Sequence, residues 1–370
     1  MEKRLDTIDL FLKILSRVSI TPDDDGLLDY IRDYLAEFEA IWVNKGGVKN
    51  LFLTKKFGDG KHICFVGHVD IVPAGDGWRT NPFVPVIDGD YIYARGTQDM
   101  KSGVVAMVQA CRDLENFNGR VSIMLTSDEE GDGTYGLQIL LRHLKEIDLL
   151  PDYCLIGEPT CEEVFGDAIK VGRRGSINGE IVIKGRQGHA AYPEKSINPI
   201  HQVAPILDKI AGVNLDSGDN NFAPSKIVLT DIRGGMEVTN VTPSSLKIMF
   251  NIRNSTKISK DSVKEYIEEL FSGLDYSLKL EQSSFPFVTD RDSALIENLN
   301  RAIFDITGVK AKLSTAGGTS DGRHIAPYGI DVVEFGVIND RIHAVDERTT
   351  IYEVESLYRV YKRFISLMNN

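Results

Sequence analysis

A chain of 370 residues that is 42% hydrophobic and 26% charged has the balance of a globular protein of about two or three domains. Its 54 acidic residues outnumber 42 basic ones, and the net charge of −12 argues against a surface built for nucleic-acid phosphates. No apolar run approaches the ~20 residues of a membrane-spanning helix.

In chain order, the N-terminus carries Leu5, Ile8, Phe11, Leu12 and Leu15 at helical spacing, interrupted by Asp6, Asp9 and Lys13. That pattern reads as an amphipathic helix and not a signal peptide, so a cytoplasmic protein is expected. Residues 62–67 (HICFVG) read as a buried strand, 90–94 as a strand, and 101–116 as a helix with Val104, Val105, Val108, Cys111 and Leu114 on its apolar face. Residues 121–126 read as a strand, 134–146 as a helix capped by Thr134, and 153–157 as another strand. Short apolar strands alternating with amphipathic helices predict an α/β layer with a mostly parallel mixed sheet.

Near residue 175 the pattern changes. A strand at 176–185 is followed by a helix at about 197–212 and strands at 225–232 and 245–252. A helix at 260–272, with Lys264, Ile267 and Leu270 among its periodic positions, and a strand at 276–282 complete the stretch. That β-α-β-β-α-β order is ferredoxin-like. The α/β pattern then resumes with a helix at 292–307, a strand at 331–337 and a C-terminal helix bearing Leu357, Val360, Tyr361 and Phe364. The simplest reading is a discontinuous α/β domain, 1–174 and 289–370, interrupted by an α+β domain at 175–288. Cys64, Cys111, Cys154 and Cys161 have no CxxC spacing and read as buried thiols.

In an α/β sheet, chemistry gathers past the carboxyl ends of the strands. Here those ends deliver His68 and Asp70; Arg95, Gln98 and Asp99; Asp128, Glu129 and Glu130; Glu158; and a loop to His343 with Asp346 and Glu347 behind it. A lone histidine or a Glu-Glu pair at a strand end is more often solvated than functional. Two histidines and several carboxylates meet at one sheet edge, and five unpaired carboxylates converging there would repel strongly without a cation. Imidazole and carboxylate without thiolate suit zinc, with cobalt or manganese as substitutes, and a bridging carboxylate permits a metal pair. Asp70, two residues beyond His68 on extended chain, faces the same way and can fix its tautomer. Glu129 and Glu130 point apart, so one can ligate metal while the other faces the attacking water.

The string Gly131-Asp132-Gly133-Thr134-Tyr135-Gly136 fits a dinucleotide fingerprint formally. Four carboxylates, Asp128, Glu129, Glu130 and Asp132, crowd the place of a pyrophosphate, and four polar residues separate the strand from the first glycine, so that reading is rejected. Gly317-Gly318-Thr319-Ser320-Asp321-Gly322 lacks the lysine of a P-loop, though its N–H groups suit a carboxylate.

The strings GHVDIVPAGDGW, ARGTQDMKSG, TSDEEGDGTYG and LIGEP resemble the di-zinc aminoacylase and carboxypeptidase-like metallopeptidase family. VGRRGSINGEIVIKGRQGHAAYPEKSINPIH, NVTPSSLKIMFNIRNS and the GGTSDGR region extend the resemblance from about residue 7 to the last helix. Two small departures stand beside the expected site: Ala94 and Ser102 replace the usual glycines.

The resemblance implies a metallo-amidohydrolase acting on a linear amide bond, with two zinc ions per subunit that cobalt can replace. His68 and Glu158 would hold one zinc, Glu130 and His343 the other, and Asp99 would bridge, its bond to Met100 usually being cis in the family. Glu129 would be the general base and Asp70 would orient His68. The segment 175–288 would be the dimerisation domain of a homodimer, with His189 reaching the partner subunit's active site to support the oxyanion. An anionic small-molecule substrate is expected, because arginine forks read planar carboxylates. Arg174 and Arg253 are the candidates, with Arg173 a substitute for Arg174, and Tyr192, Asn240 and Thr319 as polar partners. Other substrates of the family and an inactive metal-bearing binding protein are the alternatives; the retained Glu129 opposes the second.

Overall fold

The computed structural model describes residues 6–131 and 133–369. Leu5 of the predicted first helix and Asp132 of the glycine-rich string lie outside the described residues. The chain forms two compact units. One runs up to Gly172 and resumes over Val288–Ser314 and from Ser320 onward; the other comprises Arg173–Phe287 and Thr315–Thr319. The short stretch 315–319, read from sequence as α/β, clusters with the inserted unit because Thr315 Oγ1 donates to the Asn221 carbonyl and Arg173 Nη1 donates to the Ala316 carbonyl at 3.2 Å.

The first unit is built on an eight-stranded sheet. Its order is Glu39–Trp42, Asn50–Lys56, Arg120–Thr126, His62–His68, Tyr153–Ile156, Asp331–Glu334, Ala168–Lys170, Lys312–Ser314. The four strands from Arg120–Thr126 to Asp331–Glu334 are parallel, while antiparallel pairs flank them. Every residue of His62–His68 is buried, which explains its continuous apolar run: both sheet faces are covered. Helix Lys101–Arg112 is buried from Lys101 to Cys111. On helix Ile351–Met368, Tyr361 and Phe364 pack on Phe65 with ring centroids 5.1 and 6.3 Å apart. That helix starts at a capping box between Thr350 and Glu353, and Glu353 also accepts the Ile338 N–H at 3.0 Å.

One close approach fixes helix against strand end. A Cβ at Gly103 would stand 2.2 Å from the Gly157 carbonyl oxygen, so only glycine lets Lys101–Arg112 lie this near the end of Tyr153–Ile156. The helix expected from 134 begins later, spanning Leu137–Glu146 with Gly136 at its N-cap. Thr134 is not a cap: its carbonyl and that of Gly133 are taken by the Gln138 side chain, which holds the preceding segment as a loop.

The second unit has a four-stranded antiparallel sheet in the order Ile227–Gly234, Ser245–Ile252, Ser176–Lys184, Tyr276–Ser284. This is the ferredoxin-like strand arrangement. Period-two burial puts Ile177, Ile181, Ile183, Leu246, Ile248, Phe250 and Ile252 into one core. Gly179 pairs with Phe250, and its ideal Cβ would fall 2.1 Å from the phenyl ring. The helix expected over 197–212 is broken into Pro199–Val203 and a 3-10 turn at Leu207–Lys209. Pro205 lies between them; it has no N–H to give and its ring clashes with the preceding turn. On Lys260–Leu270 the buried face is Val263 and Ile267, while Lys264 is exposed with Glu268 at 3.7 Å.

Candidate metal centre

His68 is the last residue of its strand and is buried. Its Nδ1 lies 2.9 Å from the Asp70 carbonyl oxygen, which can only accept, so Nδ1 is the donor and Nε2 is the nitrogen left to a cation. Nε2 faces Asp99 Oδ1 at 3.2 Å and Glu158 Oε1 at 3.7 Å. The Asp70 carboxylate, expected to fix the imidazole, is 3.6 Å from Nδ1; the backbone carbonyl of the same residue makes the short bond. The carboxylate instead accepts the N–H groups of Glu129 at 3.4 Å and Glu130 at 3.1 Å, and so shapes the Glu-Glu turn.

On the other side of Asp99, Oδ2 is 3.3 Å from His343 Nε2, which also meets Glu130 Oε1 at 2.7 Å. The Asp99–Met100 peptide is cis. Two donor groups result, His68–Asp99–Glu158 and Asp99–Glu130–His343, each with its ligand atoms within 4.8 Å of one another. Asp99 belongs to both.

The electrostatics fit a cation. Burial by itself would depress the His68 imidazole, yet Asp99, Asp70 and Glu158 raise it well above its ordinary value. Hydrogen bonds to Asp99 and Glu130 push His343 up to about 10. Burial, with Asp99 and Glu129 nearby, raises Glu158 well above the carboxylate range. Burial and the charges of Asp321, Glu130 and Asp99 push Glu129 up to about 8. Protons held this tightly by both imidazoles and carboxylates mark an excess of negative charge, the charge that a divalent pair neutralises.

The protein-family model described as "Peptidase family M20/M25/M40" matches residues 64–367. The chain belongs to this family. Among curated members, it is 63% identical to succinyl-diaminopimelate desuccinylase of Sulfurovum sp. (strain NBC37-1), over 98% of each chain. It is 60% identical to the protein of that name from Sulfurimonas denitrificans, over 97% of this chain and 98% of the relative. Among solved structures, aminopeptidase PepT from Bacillus cereus ATCC 10987 superposes with a TM-score of 0.82 at 21% identity, covering 98% of each chain. The family M20 metallo-carboxypeptidase Sso-CP2 from Sulfolobus solfataricus gives 0.77 at 16% identity, covering 99% of this chain and 100% of that one. Both structural likenesses are of fold.

In this M20/M25/M40 chain, the remaining predicted residues belong to the inserted unit. His189 and Val241 pair, the Ala190 N–H donates to the Asn240 carbonyl at 2.9 Å, and the His189 and Tyr192 rings lie 5.8 Å apart. His189, Tyr192 and Asn240 are therefore neighbours, and all three are exposed. Gly175 and Asn254 exchange both backbone hydrogen bonds, at 2.8 and 3.2 Å, which sets Arg174 and exposed Arg253 on adjoining segments beside that pair. Arg173 is buried and bonded to the Ala316 carbonyl, whereas Arg174 is only half-buried. Thr319 is half-buried in the 315–319 stretch. Sequence reasoning assigned no role to Arg95, Gln98 or Glu347, all buried behind the ligands. A charged pair 252 positions apart leaves no local pattern to find.

Proposed function

We propose that this chain hydrolyses the amide bond of N-succinyl-LL-2,6-diaminopimelate, releasing succinate and LL-2,6-diaminopimelate, with two zinc ions per subunit. The observation that carries the hydrolase part is the pair of donor groups sharing Asp99, with Glu129 beside them. The GRRGS, GRQGHAAYP and GGTSDGR strings and the names of relatives about 60% identical support the substrate.

His68 and Glu158 would hold one cation, Glu130 and His343 the other, and Asp99 would span them. A divalent pair bound there supplies Lewis acidity, bringing the pKa of a water to ~7 and polarising the amide carbonyl. Glu129 takes the proton of the attacking water as its oxygen bonds to the succinyl carbonyl carbon. It returns that proton to the diaminopimelate nitrogen as the C–N bond breaks. Arg174 and Arg253 read substrate carboxylates, with Tyr192, Asn240 and Thr319 as polar contacts. His189 stabilises the oxyanion in a homodimer formed through the inserted unit, each subunit lending it to its partner. The reading makes the protein a cytoplasmic enzyme of lysine and cell-wall synthesis. Among the described residues no helix is long and apolar enough to cross a membrane.

Succinate release, measured alongside metal analysis of the purified protein, tests this. A site with arginines paired to carboxylates is expected to favour N-succinyl-LL-2,6-diaminopimelate over N-acetylornithine by roughly 10⁴-fold. Preference for N-acetylornithine, or succinate release undiminished after chelation, defeats the reading.

A further inference from the structure

The two donor groups are held by different means. His68 and Glu158 stand at or just beyond ends of adjacent parallel strands, where the sheet ladder fixes the backbone; the Gly157 N–H, for instance, donates to the Val66 carbonyl at 3.0 Å. Asp99 and His343 sit on irregular segments. His343 has φ +59° and Asp346 φ +56°, left-handed conformations that cost non-glycine residues about 1–3 kcal/mol unless the surroundings impose them.

A buried side-chain set imposes them here. Glu347 is 0% exposed, and its carboxylate accepts the N–H groups of Gly96 at 3.0 Å, Gln98 at 2.8 Å and Asp99 at 3.1 Å. Its other partner is Arg95 Nη1 at 2.8 Å. The same guanidinium donates to the carbonyls of Ala344 at 3.2 Å, His343 at 3.3 Å and Ala74 at 3.0 Å, and lies over the Trp78 ring at 5.1 Å. Gln98 adds a second tie: Nε2 donates to Asp340 Oδ1 at 2.7 Å and Oε1 accepts the Arg341 N–H at 2.8 Å. One ion pair thus spans the backbone of the Asp99 loop and the backbone of the His343 turn.

We propose that Glu347, paired with Arg95, is a positioning residue for the second metal position: it locks the loops of Asp99 and His343 together so that both side chains stand at ligating distance. The inference rests on the metal-centre reading above and adds that the two positions differ in what supports them. A cation held by His68, Asp99 and Glu158 draws two ligands from the sheet and one from the clamp. A cation held by Asp99, Glu130 and His343 draws two from the clamped loops.

The test is zinc titration of the full-length, metal-stripped protein against a competing chromophoric chelator. Wild type is expected to take up two cations. In Glu347→Gln the amide NH₂ opposes donors on both sides, and affinity for the second cation is expected to fall about 10–100-fold, the usual cost of losing a group that orients ligands, with the first changing less than about threefold. Added zinc is expected to restore turnover of Glu347→Gln, which loss of fold would not allow, and the second equivalent of cobalt is expected to lose its d–d absorption. Should Glu347→Gln fail to fold, Gln98→Ala cuts only the second tie and is expected to weaken the second cation about 3–10-fold. Unchanged affinities for both cations in a folded variant, or equal weakening of both, overturn the proposal. Fewer than two cations on wild type is the failure of the metal-centre reading itself and removes the proposal with it.

Discussion

Glu129 is surrounded by like charge, from Asp321, Glu130 and Asp99, and is pushed up to about 8 by burial and these neighbours. A divalent pair bound to Asp99 and Glu130 would relieve that like charge and favour the ionised carboxylate that a general base requires. Glu129→Gln is expected to keep the metal content of wild type and to lose turnover by at least about 10²–10⁴-fold; atomic absorption and succinate release check the two halves separately. Away from the site, His62 is held neutral. Burial, with Arg120 nearby, brings its imidazole down from about 6.5 to about 4, and Nε2 meets Ser122 Oγ at 2.7 Å. The unfolded chain therefore binds this proton first as pH falls. The contribution is intact above pH 6.5 and is lost on descending to pH 4, worth about 3 kcal/mol in all. Urea unfolding at pH 7 and pH 4.5 is expected to show a smaller acid loss in His62→Asn than in wild type.

Among elements, helix Lys101–Arg112 couples packing to chemistry most directly. Its Gly103 lies against Gly157, and Glu158 is the next residue. Gly103→Ala forces helix and strand end apart, with an expected loss of roughly 1–3 kcal/mol or more. Because the displaced strand end carries Glu158, zinc affinity is expected to fall together with the thermal midpoint; a shift in the midpoint with unchanged zinc binding contradicts this coupling. Elements with a clear apolar pattern were legible in sequence: the continuous run HICFVG as a buried strand, which the structure carries on to His68, and the C-terminal helix from the helical spacing of Leu357, Val360, Tyr361 and Phe364. The misread ones share a cause. Pro205 interrupts an apolar pattern that otherwise suits one long helix, and the Gln138 side chain donates to the Gly133 and Thr134 carbonyls ahead of a helix whose N-cap is Gly136. Both are backbone hydrogen-bond decisions, to which apolar spacing is blind.

At the scale of the molecule, each unit has its own core, and the candidate metal donors belong to one of them. A ligand that binds only the folded form stabilises it by about 2.7 kcal/mol at a hundredfold excess over its dissociation constant. Both tryptophans, Trp42 and Trp78, lie in the donor-bearing unit, so their fluorescence reports its unfolding. Chelation is expected to lower the midpoint of that fluorescence transition by several degrees, and zinc to restore it; an unmoved midpoint argues that no cation is bound there.

The sequence by itself determined the α/β class, and it offered a change of pattern near residue 175 and a pool of candidate donors, because periodicity and residue chemistry are local properties. Strand ends supplied a wider pool of histidines and carboxylates, and the family resemblance narrowed it to His68, Asp99, Glu130, Glu158 and His343, which the fold groups into the two candidate donor sets. Tertiary structure decided what no local window contains. It gave the Asp70 carbonyl the bond foreseen for the carboxylate, turned that carboxylate to the Glu129–Glu130 backbone, and paired Arg95 with Glu347 across 251 intervening positions. Those choices depend on which backbone groups are left without partners once the sheet has closed, a quantity that exists only in the folded chain.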